Sequence, residues 1–329
     1  MKKQTKIMSK CLLVLLFIAI SVSFAFAESY PERPIKMIVP FSAGGGTDMM
    51  CRTLAPYLSE ALGVDVVIGN RGGAGTPIGL STLLNAKPDG YTFGEASQPH
   101  ASFSIAMQDA PYEIDDFAWM NFNHIDPVCV NVMNDKPWND LKELFDYIKE
   151  NPGEVAMGVT QMSGNHMTAV YLRNKFDLDF IIVPYPGGGP GRAALVGGHI
   201  DAFWANTLSN YSLKDQSKCL AVGWDSRSEL WPEAPTFDEL FNDPELNEFV
   251  KPMASFRAIV FPKEFKENFP ERWEIFYNAY KEAYNSPGYK EACEKTKQTP
   301  VLSWTGPEEA EKLAKQTDII ISKYFDLLK

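Results

Sequence analysis

Three glycine-bearing segments, at residues 40–48, 160–166 and 183–192, each follow a short apolar run and precede a segment with helical spacing. A strand, a tight loop and a helix in that order form the repeating unit of α/β proteins, whose loops lie at the carboxyl ends of parallel strands. The feature therefore predicts a chain built on parallel sheets, with its loops placed where small ligands usually bind.

The alternation of strands and helices begins near residue 35 and begins again after residue 126. It predicts two α/β units, the second inserted within the first, with a cleft between them. We expect residues 28–127 and 255–329 to form the first lobe, and residues 128–254 to form the second. The predicted strands are 35–40, 64–68, 91–94, 128–132, 155–159, 180–184, 200–204, 220–224 and 256–262, and the predicted helices are 47–62, 78–85, 139–151, 191–196 and 307–328.

The start of the last predicted helix carries a capping sequence. Thr305 precedes the helix and Glu308 follows three residues later. This is the spacing of a capping box, in which each side chain accepts a hydrogen bond from the backbone N–H of the other residue. We expect Thr305 to cap the helix.

The first loop, residues 40–48, contains three consecutive glycines before a helix expected to begin at about Thr47. Glycines allow a tight turn whose N–H groups are not screened by side chains. The helix adds unpaired N–H donors and the positive end of its dipole, so the loop is suited to an anion. A second interpretation stays open, in which the loop is only a turn and Asp48 caps the helix.

The second loop, residues 160–166, offers Ser163 and Asn165 as hydrogen-bonding side chains for a carboxylate. Two interpretations of His166 stay open, a ligand-binding residue or a structural histidine. The third loop, residues 183–192, again joins a strand to a helix through glycines. It matches a dinucleotide fingerprint poorly, because the acid expected about twenty residues later is missing. Together the loops predict one pocket lined by backbone donors from both lobes.

Composition and missing motifs narrow the function classes. The formal net charge of −11 argues against nucleic acid as a partner, because phosphates need basic patches. No GxSxG, HExxH, CxxC or EF-hand sequence is present, and the four histidines are dispersed, so we predict no catalytic set, metal site or cofactor. Four cysteines follow residue 27, namely Cys51, Cys129, Cys219 and Cys293. They could form zero, one or two disulfides, or stay buried free thiols.

Several segments resemble the receptors of tripartite tricarboxylate transporters, the Bug-type periplasmic solute-binding proteins. They follow the family's order across nearly the whole chain after residue 27. They are residues 30–35 (YPERPI), 39–48 (VPFSAGGGTD), 70–75 (NRGGAG), 88–92 (PDGYT), 183–185 (VPY) and 197–201 (GGHID). The resemblance implies an α/β, two-lobed periplasmic-binding-protein fold of the Venus flytrap, type II-like kind, with a mainly parallel sheet flanked by helices in each lobe.

The resemblance also implies a function and partners. It indicates a periplasmic receptor, without enzymatic activity, that binds a small organic acid and delivers it to membrane permease subunits. We expect the receptor to be a monomer, and the acid could be a mono-, di- or tricarboxylate. Carried over position by position, the predicted ligand-binding residues are Ser42, Ala43, Gly44, Gly45, Thr47, Asp48, Gln161, Ser163, Gly164, Asn165, His166, Gly187, Gly188 and Asn206.

The chain departs from the family pattern at three places. The second loop is bulkier than usual, Ala205 stands where an Asp often precedes Asn206, and Phe256-Arg257-Ala258 replaces a common Trp/Tyr-Gly. Arg257 is therefore either a surface residue at the start of a strand or a cation near a second carboxylate, and a contact between His100 and the ligand stays open. Two alternative functions also stay open, a periplasmic ligand sensor and an enzyme that uses His100 or His166 as a base.

The first 27 residues predict a cleaved secretory signal. Four lysines precede an apolar run from Cys11 to Phe26, which is short for a membrane span, and the run ends in Ala25-Phe26-Ala27. We expect cleavage after Ala27. The intact mass of the exported protein should therefore correspond to a chain that begins at Glu28, and a mass that retains the apolar run would contradict the prediction.

Overall fold

Ten strands form two five-stranded sheets in the structure, a computed structural model that describes residues 30–73 and 76–325. The predicted signal segment lies outside the described residues. Sheet A has the strand order β2-β1-β3-β10-β4, and sheet B has the order β7-β6-β8-β5-β9. The strands are β1 (Ile35–Val39), β2 (Val66–Asn70), β3 (Thr92–Gln98), β4 (Phe117–Asp126), β5 (Val128–Met133), β6 (Ala156–Thr160), β7 (Ile181–Tyr185), β8 (Ala202–Asn206), β9 (Ser217–Gly223) and β10 (Ser255–Pro262).

Helices flank both sheets, and most follow a strand directly. This arrangement confirms the predicted α/β, two-lobed fold. The helices are α1 (Gly46–Leu62), α2 (Pro77–Leu84), α3 (His100–Gln108), α4 (Leu141–Glu150), α5 (Gly164–Lys175), α6 (Gly188–Val196), α7 (Thr207–Asn210), α8 (Phe237–Phe241), α9 (Pro244–Val250), α10 (Lys263–Asn268), α11 (Pro270–Asn285), α12 (Pro287–Lys295) and α13 (Gly306–Tyr324).

Both sheets are mixed, and in each of them a single strand runs against the other four. In sheet A that strand is β10, which pairs antiparallel with β3 and β4. In sheet B it is β5, which pairs antiparallel with β8 and β9. Each of these two strands is the first that the chain forms after it crosses from the other sheet. The parallel strands end at the cleft, so a strand that enters from the cleft runs in the opposite direction.

Strands β1–β4 and β10 form one sheet, and strands β5–β9 form the other. The residue boundaries of the lobes stay a prediction. Helix α13 contacts both cores: Ala310 and Ala314 lie in the core of sheet A, and Ile321 lies in the core of sheet B. Helix α3 does the same through Ala101 and Phe103. The two lobes are thus joined by packed helices as well as by the chain crossings.

The pattern of apolar residues missed β4 and the second half of β3. Strand β4 buries Asn121, Asn123, His124 and Asp126 among its apolar residues, and β3 continues through buried Glu95, Ser97 and Gln98. Buried polar residues hide the alternation that normally marks a strand.

Within the described residues, no helix has the length and apolarity needed to span a bilayer. Cys51, Cys129, Cys219 and Cys293 are buried free thiols.

The expected capping box at α13 is wrong, because a residue of β4 caps this helix instead. The side chain of Thr305 makes no capping hydrogen bond, and its hydroxyl accepts from the N–H of Phe122 at 3.0 Å. Oδ1 of buried Asn121 accepts from the N–H groups of Thr305 at 2.7 Å and Gly306 at 3.0 Å. The cap therefore also fixes α13 to sheet A.

We predict that Asn121→Ala destabilises the protein, whereas Glu308→Gln does not. The first change leaves two N–H donors without an acceptor, and each buried unpaired donor costs about 1–3 kcal/mol. Glu308 is exposed, so its replacement should change the free energy of unfolding by less than about 0.5 kcal/mol. Denaturant unfolding of both variants measures the two free energies. An equal loss of stability in the two variants would support the capping box and contradict the prediction.

Candidate ligand-binding site

A cavity of about 770 Å³ lies at the carboxyl ends of the parallel strands, between the two sheets. Both lobes contribute to its wall. The first lobe contributes Phe41, Ser42, Ala43, Gly44, Gly45, Gly46, Thr47, Gly73, Ser97, His100, Gln108, Ser255 and Arg257, and the second contributes Thr160, Gln161, Met162, Ser163, Asn165, Pro186, Gly187, Gly188, Gly189, Pro190, Ala205, Asn206 and Ser209.

Eleven of the fourteen predicted ligand-binding residues lie on this wall. They are Ser42, Ala43, Gly44, Gly45, Thr47, Gln161, Ser163, Asn165, Gly187, Gly188 and Asn206. Asp48, Gly164 and His166 do not line it, although each belongs to a loop or helix that does. The structure therefore brings the three predicted loops together around one space. Contact of any of these residues with a ligand stays a prediction.

Asp48 holds the first loop in shape from behind. Its Oδ2 accepts from the N–H of Gly44 at 2.8 Å and from Nε of Arg52 at 2.8 Å, and its Oδ1 accepts from Nδ2 of Asn70 at 2.8 Å. Burial raises the pKa of the Asp48 carboxyl, but these hydrogen bonds outweigh burial and hold the pKa below its ordinary value. Gly44 has φ +83°, a conformation that favours glycine. The loop thus turns its backbone toward the cavity while Asp48 faces away from it.

The second loop ends in a serine cap. Ser163 is the N-cap of α5: its hydroxyl donates to the carbonyl of Thr160 at 2.6 Å and accepts from the N–H of His166 at 3.4 Å. Met162, on the cavity wall, has φ +55°, which costs about 1–2 kcal/mol for a residue with a Cβ. A strained residue held next to a serine cap indicates that the loop is shaped for a purpose other than stability.

Gly164 and His166 have structural surroundings. A Cβ on Gly164 would lie 1.9 Å from the carbonyl oxygen of Met253, so only glycine allows α5 to approach the segment before β10. Burial, with a smaller contribution from Arg173, lowers the pKa of His166. Nδ1 of His166 is buried without a hydrogen-bond partner, and a contact of His166 with the ligand stays a prediction.

The third loop places the start of α6 on the cavity wall. The helix begins at Gly188, three residues earlier than predicted, so Gly187, Gly188 and Gly189 stand at its N-terminus. A Cβ on Gly187 or Gly189 would meet no atom within 4 Å, whereas one on Gly188 would lie 2.9 Å from Nη1 of Arg192. With α1 and α5, three helix N-termini now face the same cavity, and each carries unpaired N–H donors and a positive dipole end.

Asparagines connect the second loop to the crossing between the lobes. Nδ2 of Asn165 donates to Oδ1 of Asn206 at 3.1 Å, and Nδ2 of Asn206 donates to the carbonyl of Asp126 at 2.8 Å. Oδ1 of Asn165 is buried and has no partner. Both amides lie on the wall, so they can orient polar groups of a ligand.

Arg257 is buried, which makes the surface interpretation of this residue wrong. The side chain is 6% exposed and lines the cavity. It lies on the interior strand β10, which pairs with β3 on one side and with β4 on the other. Its Nη2 lies 3.6 Å from Oδ2 of Asp126, which is longer than a good charged hydrogen bond. Nε and Nη1 have no partner.

Three titratable groups close to Arg257 have shifted pKa values. Burial raises the pKa of Glu95 to about 8, against the opposing effects of Ser97 and Arg257. Burial, aided by Arg257, lowers the pKa of His100 to about 4 and that of His124 well below its ordinary value. At neutral pH these groups are uncharged. Burial also raises the pKa of Asp126, against the opposing effects of Arg257, Leu208 and Thr207.

The cavity is equipped to bind an anion. Its wall combines backbone donors from three helix N-termini with the hydroxyls of Ser42 and Thr47 and with one guanidinium. Across the described part of the chain, no cluster of three or more His, Cys, Asp or Glu side chains is placed to hold a metal ion.

Comparison with known proteins agrees with this geometry. Residues 50–317 match the model of a family described as "Tripartite tricarboxylate transporter family receptor". The chain belongs to this family. Its relatives include BugT of Bordetella pertussis, which is 32% identical over 220 residues, covering 65% of this chain and 68% of BugT.

Solved structures share the fold over almost their whole length. The periplasmic binding protein BugD is 25% identical, with a TM-score of 0.73 over 90% of this chain and 99% of BugD. The structure of R. palustris Rpa4515 with adipate has a TM-score of 0.74 and covers 91% of this chain and 98% of that protein. At 22% identity, the second comparison bears on the fold alone. The family consists of solute-binding receptors, which confirms the resemblance noted from the sequence.

Several wall residues were missed by the sequence analysis, among them Ser97, Gln108, Ser209 and Ser255. Ser97 belongs to the unrecognised end of β3, and Gln108 to the unrecognised helix α3. A clearer signal existed for Arg257, because it lies in the near-continuous apolar run of residues 256–262, and such a run is typical of a strand buried on both faces. Its burial could have been inferred from that position.

We predict that Glu95→Gln removes a pH-dependent loss of stability. The native protein keeps the Glu95 proton up to about pH 8, whereas the unfolded chain releases it near 4.5. The contribution of Glu95 to the free energy of unfolding therefore falls as the pH rises from about 4.5 to about 8. Between pH 6.5 and 8, the free energy of unfolding of the parent should fall by about 1.5 kcal/mol relative to that of the variant. Denaturant unfolding at the two pH values measures this, and a constant difference would contradict it.

Proposed function

We propose that the protein is a periplasmic solute receptor that binds a small organic carboxylate between its lobes and delivers it to the permease subunits of a tripartite tricarboxylate-type transporter. The observation that carries the proposal is the convergence of three helix N-termini on one cavity. Unpaired N–H donors and positive dipole ends favour a negatively charged ligand. No cofactor is required for this role.

The overall charge of the protein does not prevent anion binding. The formal net charge is −11, so the long-range field opposes an acidic ligand. Exposed charges more than about 8 Å away are largely screened at physiological salt. The donors on the wall act at hydrogen-bonding distance, where geometry decides the interaction. Local dipoles can therefore hold an anion on an acidic protein.

The relatives support an organic acid as the ligand. The family description names tricarboxylate transport, and a protein of the same fold has been solved with adipate. A cavity of about 770 Å³ lies within the range of roughly 300–1,000 Å³ that is usual for small-molecule sites. The volume would admit such an acid together with ordered water.

The pKa of His100 and the position of His166 favour a receptor over an enzyme. A general base works best with a pKa near the operating pH, but the pKa of His100 on the wall is about 4. His166, the other histidine considered as a base, does not line the cavity. A sensor that presents the same ligand to a signalling partner would use the same site.

The first test is a thermal-shift screen with organic acids on the purified protein. A ligand that binds only the native state stabilises it by RT ln(1 + [L]/Kd), so a ligand at 100 times its Kd adds about 2.7 kcal/mol. We expect at least one small carboxylate to raise the melting temperature by several degrees. NMR of the mixture should show the acid unchanged after incubation. Turnover would favour the enzyme, and no response to any carboxylate would contradict the proposal.

The matched variant for the screen is Gly45→Leu. A Cβ at Gly45 meets only the carbonyl oxygen of Ser42, at 3.6 Å, and Gly45 has a negative φ of −81°. The fold should therefore accept the larger side chain, which enters the cavity. We expect an unchanged melting temperature without ligand and at least a tenfold loss of affinity. Binding as tight as that of the parent would place the ligand elsewhere.

A further inference from the structure

Met162 combines a place on the cavity wall with a left-handed backbone. It lies in the second loop, lines the cavity and has φ +55°. A residue with a Cβ is less stable in this conformation, because the Cβ comes close to the following carbonyl oxygen. Glycine has no Cβ and would adopt the same turn without that cost. The presence of a methionine here therefore needs a reason other than stability.

The other left-handed residues with side chains have a structural reason that Met162 lacks. In the described part of the chain they are Asp109, Asp177, Asn242 and Lys297. Each stands at or just beyond the C-terminal end of a helix, where a left-handed residue commonly ends the helix. Met162 instead lies between the end of β6 and the start of α5. No helix end accounts for its conformation.

The packing of neighbouring methionines shows that Met162 is not a core residue. Met157 and Met167, five residues before and after it, are fully buried in the core of sheet B. Met162 is only half-buried, and it is not among the described residues of this core. A methionine side chain is flexible and polarisable, so it adapts to apolar partners of irregular shape. The partner that its place on the wall offers is a molecule in the cavity.

Other carbon-rich groups lie on the same wall. Phe41 lines it from the first lobe, and Pro186, Pro190 and Ala205 line it from the second. Sites for small molecules usually combine apolar surface with a few polar groups that fix the orientation of the ligand. The backbone donors of the three loops can bind a carboxylate, but they offer nothing to the carbon skeleton attached to it. Met162 and the other carbon-rich groups can supply that contact.

We propose that Met162 is a specificity-determining residue whose side chain contacts an unsubstituted hydrocarbon skeleton of the bound acid. The inference rests on the proposed function and specifies its substrate class. The left-handed backbone places this side chain on the wall, and the contact with the ligand is the reason that the loop keeps a strained residue. Hydroxyl groups on the skeleton would lose their hydrogen bonds to water at Met162 without gaining a polar partner.

The test compares acids of equal carbon number that differ in the hydroxylation of the skeleton. The pairs are succinate with tartrate, adipate with galactarate, and hexanoate with gluconate. Titration calorimetry on the full-length mature protein gives each affinity. We expect an unsubstituted acid to bind most tightly, and at least tenfold more tightly than its hydroxylated partner.

Two substitutions at residue 162 separate the side chain from the backbone. Met162→Ala removes the side chain beyond Cβ and keeps the strain, whereas Met162→Gly removes both. Each variant should bind the tightest unsubstituted acid at least fivefold more weakly, and its hydroxylated partner with less than a twofold change. Without ligand, Met162→Gly should melt about 2 °C above Met162→Ala, because only glycine relieves the strain.

Lys297 offers the matched control for the backbone. It has φ +59°, is exposed and does not line the cavity. Lys297→Gly should therefore also melt about 2 °C above Lys297→Ala, and neither substitution should change the affinity for any of the acids.

The outcomes separate this inference from the proposed function. A hydroxylated acid that binds most tightly, unchanged affinities in Met162→Ala, or equal losses for both acids of a pair would overturn the contact with a hydrocarbon skeleton and leave a carboxylate receptor. If Met162→Gly melts no higher than Met162→Ala while the two variants of Lys297 differ as expected, the strained loop is overturned. No binding of any acid would contradict the receptor itself.

Discussion

The constraint on which the cleft depends is the buried side chain of Asp126, at the point where the chain passes between the lobes. Asp126 ends the outgoing strand β4, and Arg257 lies on the returning strand β10. The same carboxylate accepts hydrogen bonds from Thr207 and Leu208 at the start of α7 in the second lobe. Asp126 therefore links the outgoing strand to a helix of the opposite lobe, and the guanidinium of the returning strand lies 3.6 Å from its other oxygen.

The rest of the architecture limits how the lobes can be arranged around that contact. Helix α13 contributes Ala310 and Ala314 to the core of sheet A and Ile321 to the core of sheet B. Its start is fixed to β4 by the cap from Asn121. The lobes are thus connected by buried side chains along a helix, and the donors from the two walls are presented at a defined separation. A defined separation is what allows a cleft to discriminate between ligands of different length.

The sequence predicted the parts of this structure in which backbone and apolar periodicity dominate. The three loops lie around one cavity, and 11 of the 14 candidate residues line it. The strand segments that were not predicted contain buried polar residues, such as Glu95 in β3 and His124 in β4. Their burial depends on contacts with residues that are distant in sequence. Gly164 and Asp48 belong to the right loops, but the approach of Met253 and the hydrogen bond to Gly44 decide which way each faces.

The electrostatics of the site follow from burial more than from the composition of the chain. Desolvation keeps Glu95 protonated and His100 neutral at neutral pH. Were Glu95 ionised, a second carboxylate would lie in the field of the Arg257 guanidinium together with Asp126. The net charge of the chain therefore says little about the charge of the cavity wall, where Arg257 lies among groups that burial keeps uncharged.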